Sequence, residues 1–171
     1  YLTRIWEQIS ETFNNDYDEH LVFEVMNEPR LKGHIHEWGF STFCKDCRDS
    51  MNVVKEFNQA CLDTIRKSGG NNAKRLVVVP SLCASPFNAL NPLFQLPKDS
   101  AKDALALSVH MYSPYDFAMG VPGGEVFTTE HKKSLENDLK ELNQEYVLKG
   151  IPVIIGEMGA TNKDNLTERG K

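Results

Sequence analysis

Residues 20–30 read HLVFEVMNEPR, an apolar run that passes straight into an amide, a carboxylate and a proline. Its apolar part, residues 21–26, is short, rich in valine and closed by Pro29, which predicts a buried β-strand. Three further runs of this kind follow: RLVVVP at 75–80, ALALSVHMY at 104–112 and IPVIIGEMG at 151–159. Segments with helical spacing separate them. Leu2, Ile5, Trp6, Ile9 and Phe13 precede the first strand, with Trp6 expected in the core. Val54, Phe57, Cys61 and Ile65 form the stripe of a second helix, stopped by SGGNN at 68–72, and Leu135, Leu139, Leu142 and Tyr146 mark a charged amphipathic helix before the last strand. Strands apolar on both faces that alternate with helices make a parallel sheet under a helical cover, so the fold class is α/β.

No repeat, low-complexity tract or linker divides the chain, and residues 1–171 are expected to be one domain, incomplete at both ends. The chain starts at Tyr1 without a signal-like segment, and NLTERGK at its end opens a new helical pattern, as a piece of a longer protein would. With 19 Lys+Arg against 24 Asp+Glu and no basic block, nothing offers a nucleic acid its phosphate contacts. No run approaches the roughly 20 apolar residues that span a bilayer. Neither nucleic acid nor membrane is therefore an expected partner.

The polar residues that interrupt the strands lie at their C-terminal ends, where α/β sheets and (β/α)8 barrels place their ligand sites. Glu28 ends the first strand, His110 and Tyr112 the third, and Glu157 the fourth. Strict alternation puts Glu28 in the row of Glu24 and Met26, Tyr112 in that of Ser108 and His110, and Glu157 in that of Val153 and Ile155. Asn27 has the opposite parity and joins them only if the strand twists or bulges before Pro29. Were these rows to face one axis, two carboxylates, an imidazole and a phenol would meet at its mouth. Two facing carboxylates are the equipment for cleaving a glycosidic bond, and a gap of about 5 Å between them favours retention through a covalent intermediate. Glu24, inside its strand, is expected to be a buried structural carboxylate.

His34, His36, Cys44 and Cys47 cluster in the loop after the first strand. Their ligand types suit zinc, but the order fits no standard zinc framework, and a Cys44–Cys47 disulfide or a plain solvated loop is the favoured reading. Cys61 and Cys83 read as small buried hydrophobes. Trp38 and Phe40 in the same loop have faces suited to stacking on sugar rings. The Gly/Pro-containing stretch 113–127 reads as a long loop whose Tyr115 and Phe117 wall a groove.

Taken together, FEVMNEP, SVHMYSPYDFA and PVIIGEMGA, in this order, resemble strands four, six and seven of glycoside hydrolase family 5, the clan A cellulase family. The flanking YDEH and NNAKRLVVVP, the latter matching strand five, most resemble the subfamily 4 endoglucanases, which act on β-1,4-glucan, mixed-linkage glucan or xyloglucan. The resemblance implies part of a (β/α)8 TIM barrel, strands four to seven with their helices. It implies a retaining endo-β-1,4-glucanase in which Glu28 is the acid/base, Glu157 the nucleophile, Asn27 a donor to the sugar 2-hydroxyl, Tyr112 a holder of the nucleophile and His110 a lining residue. Trp38 and Tyr115 join these as substrate-binding residues. The nucleophile, accepting a bond from a phenol, would stay ionised, and the acid facing it would keep its proton. No cofactor or metal is implied. A β-glucan polysaccharide is the implied partner, and the parent is expected to be a monomer, secreted or cell-surface. The family's arginine beneath the nucleophile, its histidine near the acid/base and its stacking tryptophan lie on other strands, so the chain by itself is expected to be inactive. A mannanase or xyloglucanase of the same fold, or an inactive carbohydrate-binding fragment, are the alternatives. Asn165 to Thr167 is a glycosylation sequon that matters only in a eukaryotic secretory pathway.

Overall fold

The computed structural model describes residues 1–162, 164 and 166–169; Asn165 of the sequon lies outside them. Four strands, β1 (Phe23–Glu24), β2 (Val77–Pro80), β3 (Leu105–Met111) and β4 (Val153–Met158), pair in parallel in their chain order. Parallel neighbours need long crossovers. Helix α1 (Leu2–Thr12) precedes β1, and α2 (Lys45–Lys67) joins β1 to β2. The short α3 (Pro86–Ala89) lies between β2 and β3, α4 (Tyr115–Met119) and α5 (Thr129–Glu145) between β3 and β4, and α6 (Leu166–Arg169) after β4. Sequential parallel order with helical crossovers is the arrangement of adjacent staves in a (β/α)8 barrel. Among the described residues, no helix is long and apolar enough to cross a membrane.

The odd-numbered strand residues face the helices. Phe23, Val77 and Val79 pack with Trp6 of α1 and with Cys61, Leu62 and Ile65 of α2. Leu107, Val109 and Met111 pack with Met51 and Val54 of α2 and with Leu142 and Tyr146 around α5. Each fully buried Leu or Ile contributes about 1.5–3 kcal/mol, so the two clusters hold the helices to the sheet. Trp6 is core, as expected, and its Nε1 donates to Val25 O at 3.1 Å. Phe57 and Leu139, on the expected helix stripes, are instead exposed at the outer margins.

The even-numbered residues face the other way, and there two expectations are corrected. Glu24 is exposed: β1 is an edge strand of the described sheet, and no helix covers the face its side chain occupies. Glu157 does not share a row with Val153 and Ile155. Ser108 aligns with Ile154 and Val109 with Ile155, but His110 aligns with Glu157, so Gly156 is an extra residue on β4. A one-residue bulge reverses which side chains face which way, and it brings Glu157 into the row of Ser108 and His110. β1 is also shorter than 21–26. Val25 N–H still reaches Val78 O at 3.1 Å, but the backbone bends at Val25 and Asn27. Met26 turns to pack on the helix-side clusters, so the expected row of Glu24, Met26 and Glu28 is broken.

At the N-terminal end of the sheet, buried arginines tie loops to strands. Gly70 has φ of +56°, and a Cβ there would lie 2.2 Å from Asn15 Oδ1, so the turn after α2 closes tightly on residues 14–15. Arg75 then donates to the carbonyls of Asn14, Tyr17, Asp18 and Leu21 and to Asn72 Oδ1. Arg66 forms a bidentate pair with Asp99 at 2.8 and 2.7 Å and also donates to the carbonyls of Asn72, Arg75 and Ala104. Burial alone raises the Asp99 carboxyl, but the bonds from Arg66 and the Ala101 amide outweigh it and hold the group below its ordinary 3.8. A depressed carboxyl stabilises the fold fully above its unfolded value and loses that contribution as pH falls through the folded one. Asp99→Ala is expected to cost about 3–5 kcal/mol in urea denaturation, because it strands a buried guanidinium. The penalty should shrink below pH 3.8, where the wild-type pair itself is being lost.

Candidate active site

β1 and its bend deliver Glu28, β3 delivers His110 and Tyr112, and the bulged β4 delivers Glu157, all at the C-terminal end of the sheet. His110 is 7% exposed, the most enclosed of the four. Its Nδ1 donates to Glu28 Oε1 at 2.7 Å and lies 3.5 Å from Glu157 Oε2. Tyr112 OH donates to the same Glu157 Oε2 at 3.0 Å. Donor atoms of Glu28, His110 and Glu157 all lie within 4.8 Å of one another. The two carboxylates thus face each other across an imidazole N–H. That phenol is held above its ordinary value of 10, first because its proton is bonded to Glu157, then by burial and by the Glu157 and Glu28 charges, which oppose a phenolate.

Asn27 is exposed beside Glu28, at the bend that ends strict alternation before Pro29. Trp38 is 60% exposed, with the Arg30 guanidinium 4.2 Å from its ring centre, which leaves its other face open. Tyr115 opens α4 and is exposed, so part of the stretch expected as loop is helical. Two groove residues are corrected. Phe117 is buried on the inner side of α4, edge-on to Phe127 at 5.2 Å, and Phe40 packs against the core around Met51 and Leu107. In both cases a helix or loop curls its aromatic inward, where burial gains more than exposure.

Arg30 and Glu37 form a support that sequence reasoning missed. Arg30 donates to the backbone carbonyl of Glu28 at 3.3 Å and to Glu37 Oε1 at 3.0 Å, while Gly33 N–H donates to Glu37 Oε2 at 2.8 Å. The Gly33 amide first, and Arg30 next, hold the Glu37 carboxyl below its ordinary 4.5. From the β2 side, Cys83 N–H donates to Pro29 O at 2.8 Å and its Sγ–H to Glu37 O at 3.3 Å. Cys83 and Ala84 have φ of +60° and +47°, a conformation that costs a non-glycine residue about 1–3 kcal/mol. The only advance signal was two opposite charges seven residues apart in a loop, which is too common to act on.

Cys44 and Cys47 are joined in a disulfide at the start of α2. Cys61 and Cys83 are buried, as expected. A cavity of about 610 Å³ lies on the helix side of β3 and β4, lined by Met111, Phe117, Leu135, Leu139, Ile155 and Met158. Its lining is mostly apolar, with Ser113, Thr161, Asn162 and Glu168 as polar members, and includes neither member of the carboxylate pair, so the chemistry belongs elsewhere.

On a parallel β/α sheet, two carboxylates brought this close at the strands' C-terminal ends is the arrangement of the barrel glycoside hydrolases. Comparison with known proteins narrows the class: the whole chain, residues 1–171, matches the cellulase family, glycosyl hydrolase family 5, and belongs to it. It is 43% identical over 171 residues to Endoglucanase A of Clostridium longisporum, a match covering 98% of this chain and 31% of that protein. Endoglucanase B of Ruminococcus albus is 40% identical, over 99% of this chain and 39% of that protein. Among solved structures, the glycoside hydrolase 5 lichenase of Caldicellulosiruptor sp. F32, as a mutant in complex with cellotetraose, matches with a TM-score of 0.92 and 38% identity, over 99% of this chain and 48% of that one. The broad-specificity GH5-4 endoglucanase of Ruminococcus champanellensis, with bound cellotriose, matches with a TM-score of 0.87 and 40% identity, over 98% and 46%. The chain therefore spans from 31% to 48% of the length of these relatives.

The bond between Tyr112 and Glu157 is open to direct measurement. Ultraviolet titration should find two tyrosines ionising above the ordinary value of 10, Tyr112 because of that bond and Tyr146 because of burial, and Glu157→Gln should move only the first back down, since it removes the carboxylate charge that opposes phenolate. An unchanged titration would show that the two side chains do not meet.

Proposed function

We propose that this chain carries the acid/base and the nucleophile of a retaining endo-β-1,4-glucanase, acting on β-glucan by double displacement. The observation that carries the reading is the carboxylate pair, Glu28 and Glu157, with oxygens within 4.8 Å of each other. A retaining pair stands about 5–5.5 Å apart, whereas an inverting one leaves roughly 6.5–9.5 Å for a water. The geometry also sorts the roles. Glu157 Oε2 takes the Tyr112 hydroxyl and faces His110 Nδ1, so Oε1 is the oxygen left to attack the anomeric carbon. Glu28 gives its proton to the departing glycosidic oxygen as the Glu157–sugar bond forms. It then takes a proton from the water that releases the sugar from Glu157.

His110 is a positioning residue here, its one N–H fixing Glu28 and screening it from Glu157. Asn27 is the residue for the 2-hydroxyl of the reacting sugar, a bond that strengthens as positive charge grows at the ring. The open face of Trp38 and the exposed ring of Tyr115 are surfaces for further sugar units. The cello-oligosaccharides bound in the relatives favour a glucan over a mannan. A polymer of that size is met outside the cell, so the parent enzyme is placed there, as a monomer.

The test is hydrolysis of a soluble β-glucan by the enzyme and its variants. Glu28→Gln should lower kcat about 100- to 10,000-fold, the usual worth of a general acid. It should do far less harm on an aryl glycoside whose leaving group needs no proton. Glu157→Gln should be inactive on both. Proton NMR of the first product should show the β-anomer; an initial α-anomer would rule out the retaining scheme.

A further inference from the structure

The loop that follows Glu28 carries a second cluster of donor atoms, with no part in the chemistry above. His34, Cys44 and Cys47 each place one donor atom within 4.8 Å of the others. We propose that these three side chains form a site for a soft divalent cation of the zinc type, open when the Cys44–Cys47 bond is reduced and closed when it is formed.

Several features fit these thiols, and not the other two, to the task. Cys44 caps α2, a helix of 23 residues, and its Sγ accepts the Cys47 N–H at 3.1 Å. A thiolate there is stabilised by that amide and by the positive end of the helix. Cys44 is half-buried and within reach of a reductant, while Cys47 is enclosed behind it. By contrast, burial pushes Cys61 up to about 12 and Cys83 up to about 11, so they stay protonated and do not compete. Two thiolates and an imidazole are three of the four ligands of a tetrahedral zinc site. A water supplies the fourth.

The two states exclude each other chemically. A dithiol reductant passes two electrons and two protons to the S–S bond, leaving two thiols and departing as its own disulfide. The metal then sends both thiol protons to solvent as the Sγ–metal bonds form. His34 also has to change. Its Nδ1 accepts the His36 N–H at 3.1 Å, so the neutral ring carries its proton on Nε2. Binding through Nε2 moves that proton to Nδ1, and binding through Nδ1 displaces the amide, so either way the His36 contact is given up. His36 stands two residues before Trp38, and metal loading therefore shifts the loop that bears the candidate sugar-stacking ring.

The experiment takes the purified protein, reduces it with a dithiol, removes the dithiol by anaerobic gel filtration and titrates with Co2+ as a coloured stand-in for Zn2+. A saturable thiolate-to-cobalt charge-transfer band, bleached by Zn2+, is expected. It should be absent from the oxidised protein and from the Cys44→Ser, Cys47→Ser double variant. His34→Ala should raise the Kd at least about 10-fold, since even partners that only orient a ligand cost that much when removed. The proposal is overturned by a band that survives in the double variant, by an unchanged Kd in His34→Ala, or by a reduced protein that stays folded by circular dichroism and gives no band.

Discussion

Two carboxylates from opposite halves of the chain stand either side of one imidazole nitrogen, His110 Nδ1, which bonds Glu28 and lies 3.5 Å from Glu157. Like charges at this distance repel, and a donor set between them makes the approach tolerable. His110 can hold that place because it is enclosed, with its Nδ1 aimed at Glu28, and because Tyr112 takes up the remaining demand of Glu157. The extra residue at Gly156 is the backbone feature that makes the meeting possible. With regular pairing through Gly156, the side chain of Glu157 would follow Val153 and Ile155 toward the helices, away from Glu28, His110 and Tyr112. The bulge exchanges that position for a hydrogen-bonded one.

The fold was largely legible because its signal is local. Four apolar runs separated by helical stripes are enough to call a parallel α/β sheet, and the polar residues at the run ends are enough to suggest where the site lies. The errors came where one residue changes the count. Strict alternation assigned Glu157 to the wrong row; the signal against it was Gly156, since a lone glycine inside a strand marks a bulge. It also carried the row of Glu28 through a bend at which Met26 turns away. Glu24 was misjudged for a different reason: burial depends on what lies across the sheet, and sequence pattern gives no such information. The aromatic loop residues divided by local curl, which buried Phe117, drew Phe40 partly into the core and left Trp38 and Tyr115 open.

The supports of the site were hardly legible at all. Arg30, Glu37 and Cys83 act through backbone carbonyls and amides, and such partners carry no residue-type signature. Their arrangement still has a clear logic. The loop after Glu28 is held from its own side by the Arg30–Glu37 pair and from the neighbouring strand by the turn at Cys83 and Ala84. Backbone strain in that turn is accepted where it fixes the carbonyl of Pro29, one residue beyond the acid/base candidate.

At the other end of the sheet, Arg75 reads only main-chain carbonyls over residues 14–21. A guanidinium that recognises backbone oxygens is indifferent to the side chains attached to them. The segment between α1 and β1 is therefore free to change its amino acids, so long as its path is kept, while the arginine is not. Divergence can accumulate in that loop without loosening the sheet, and the chemistry at the opposite rim would not register it.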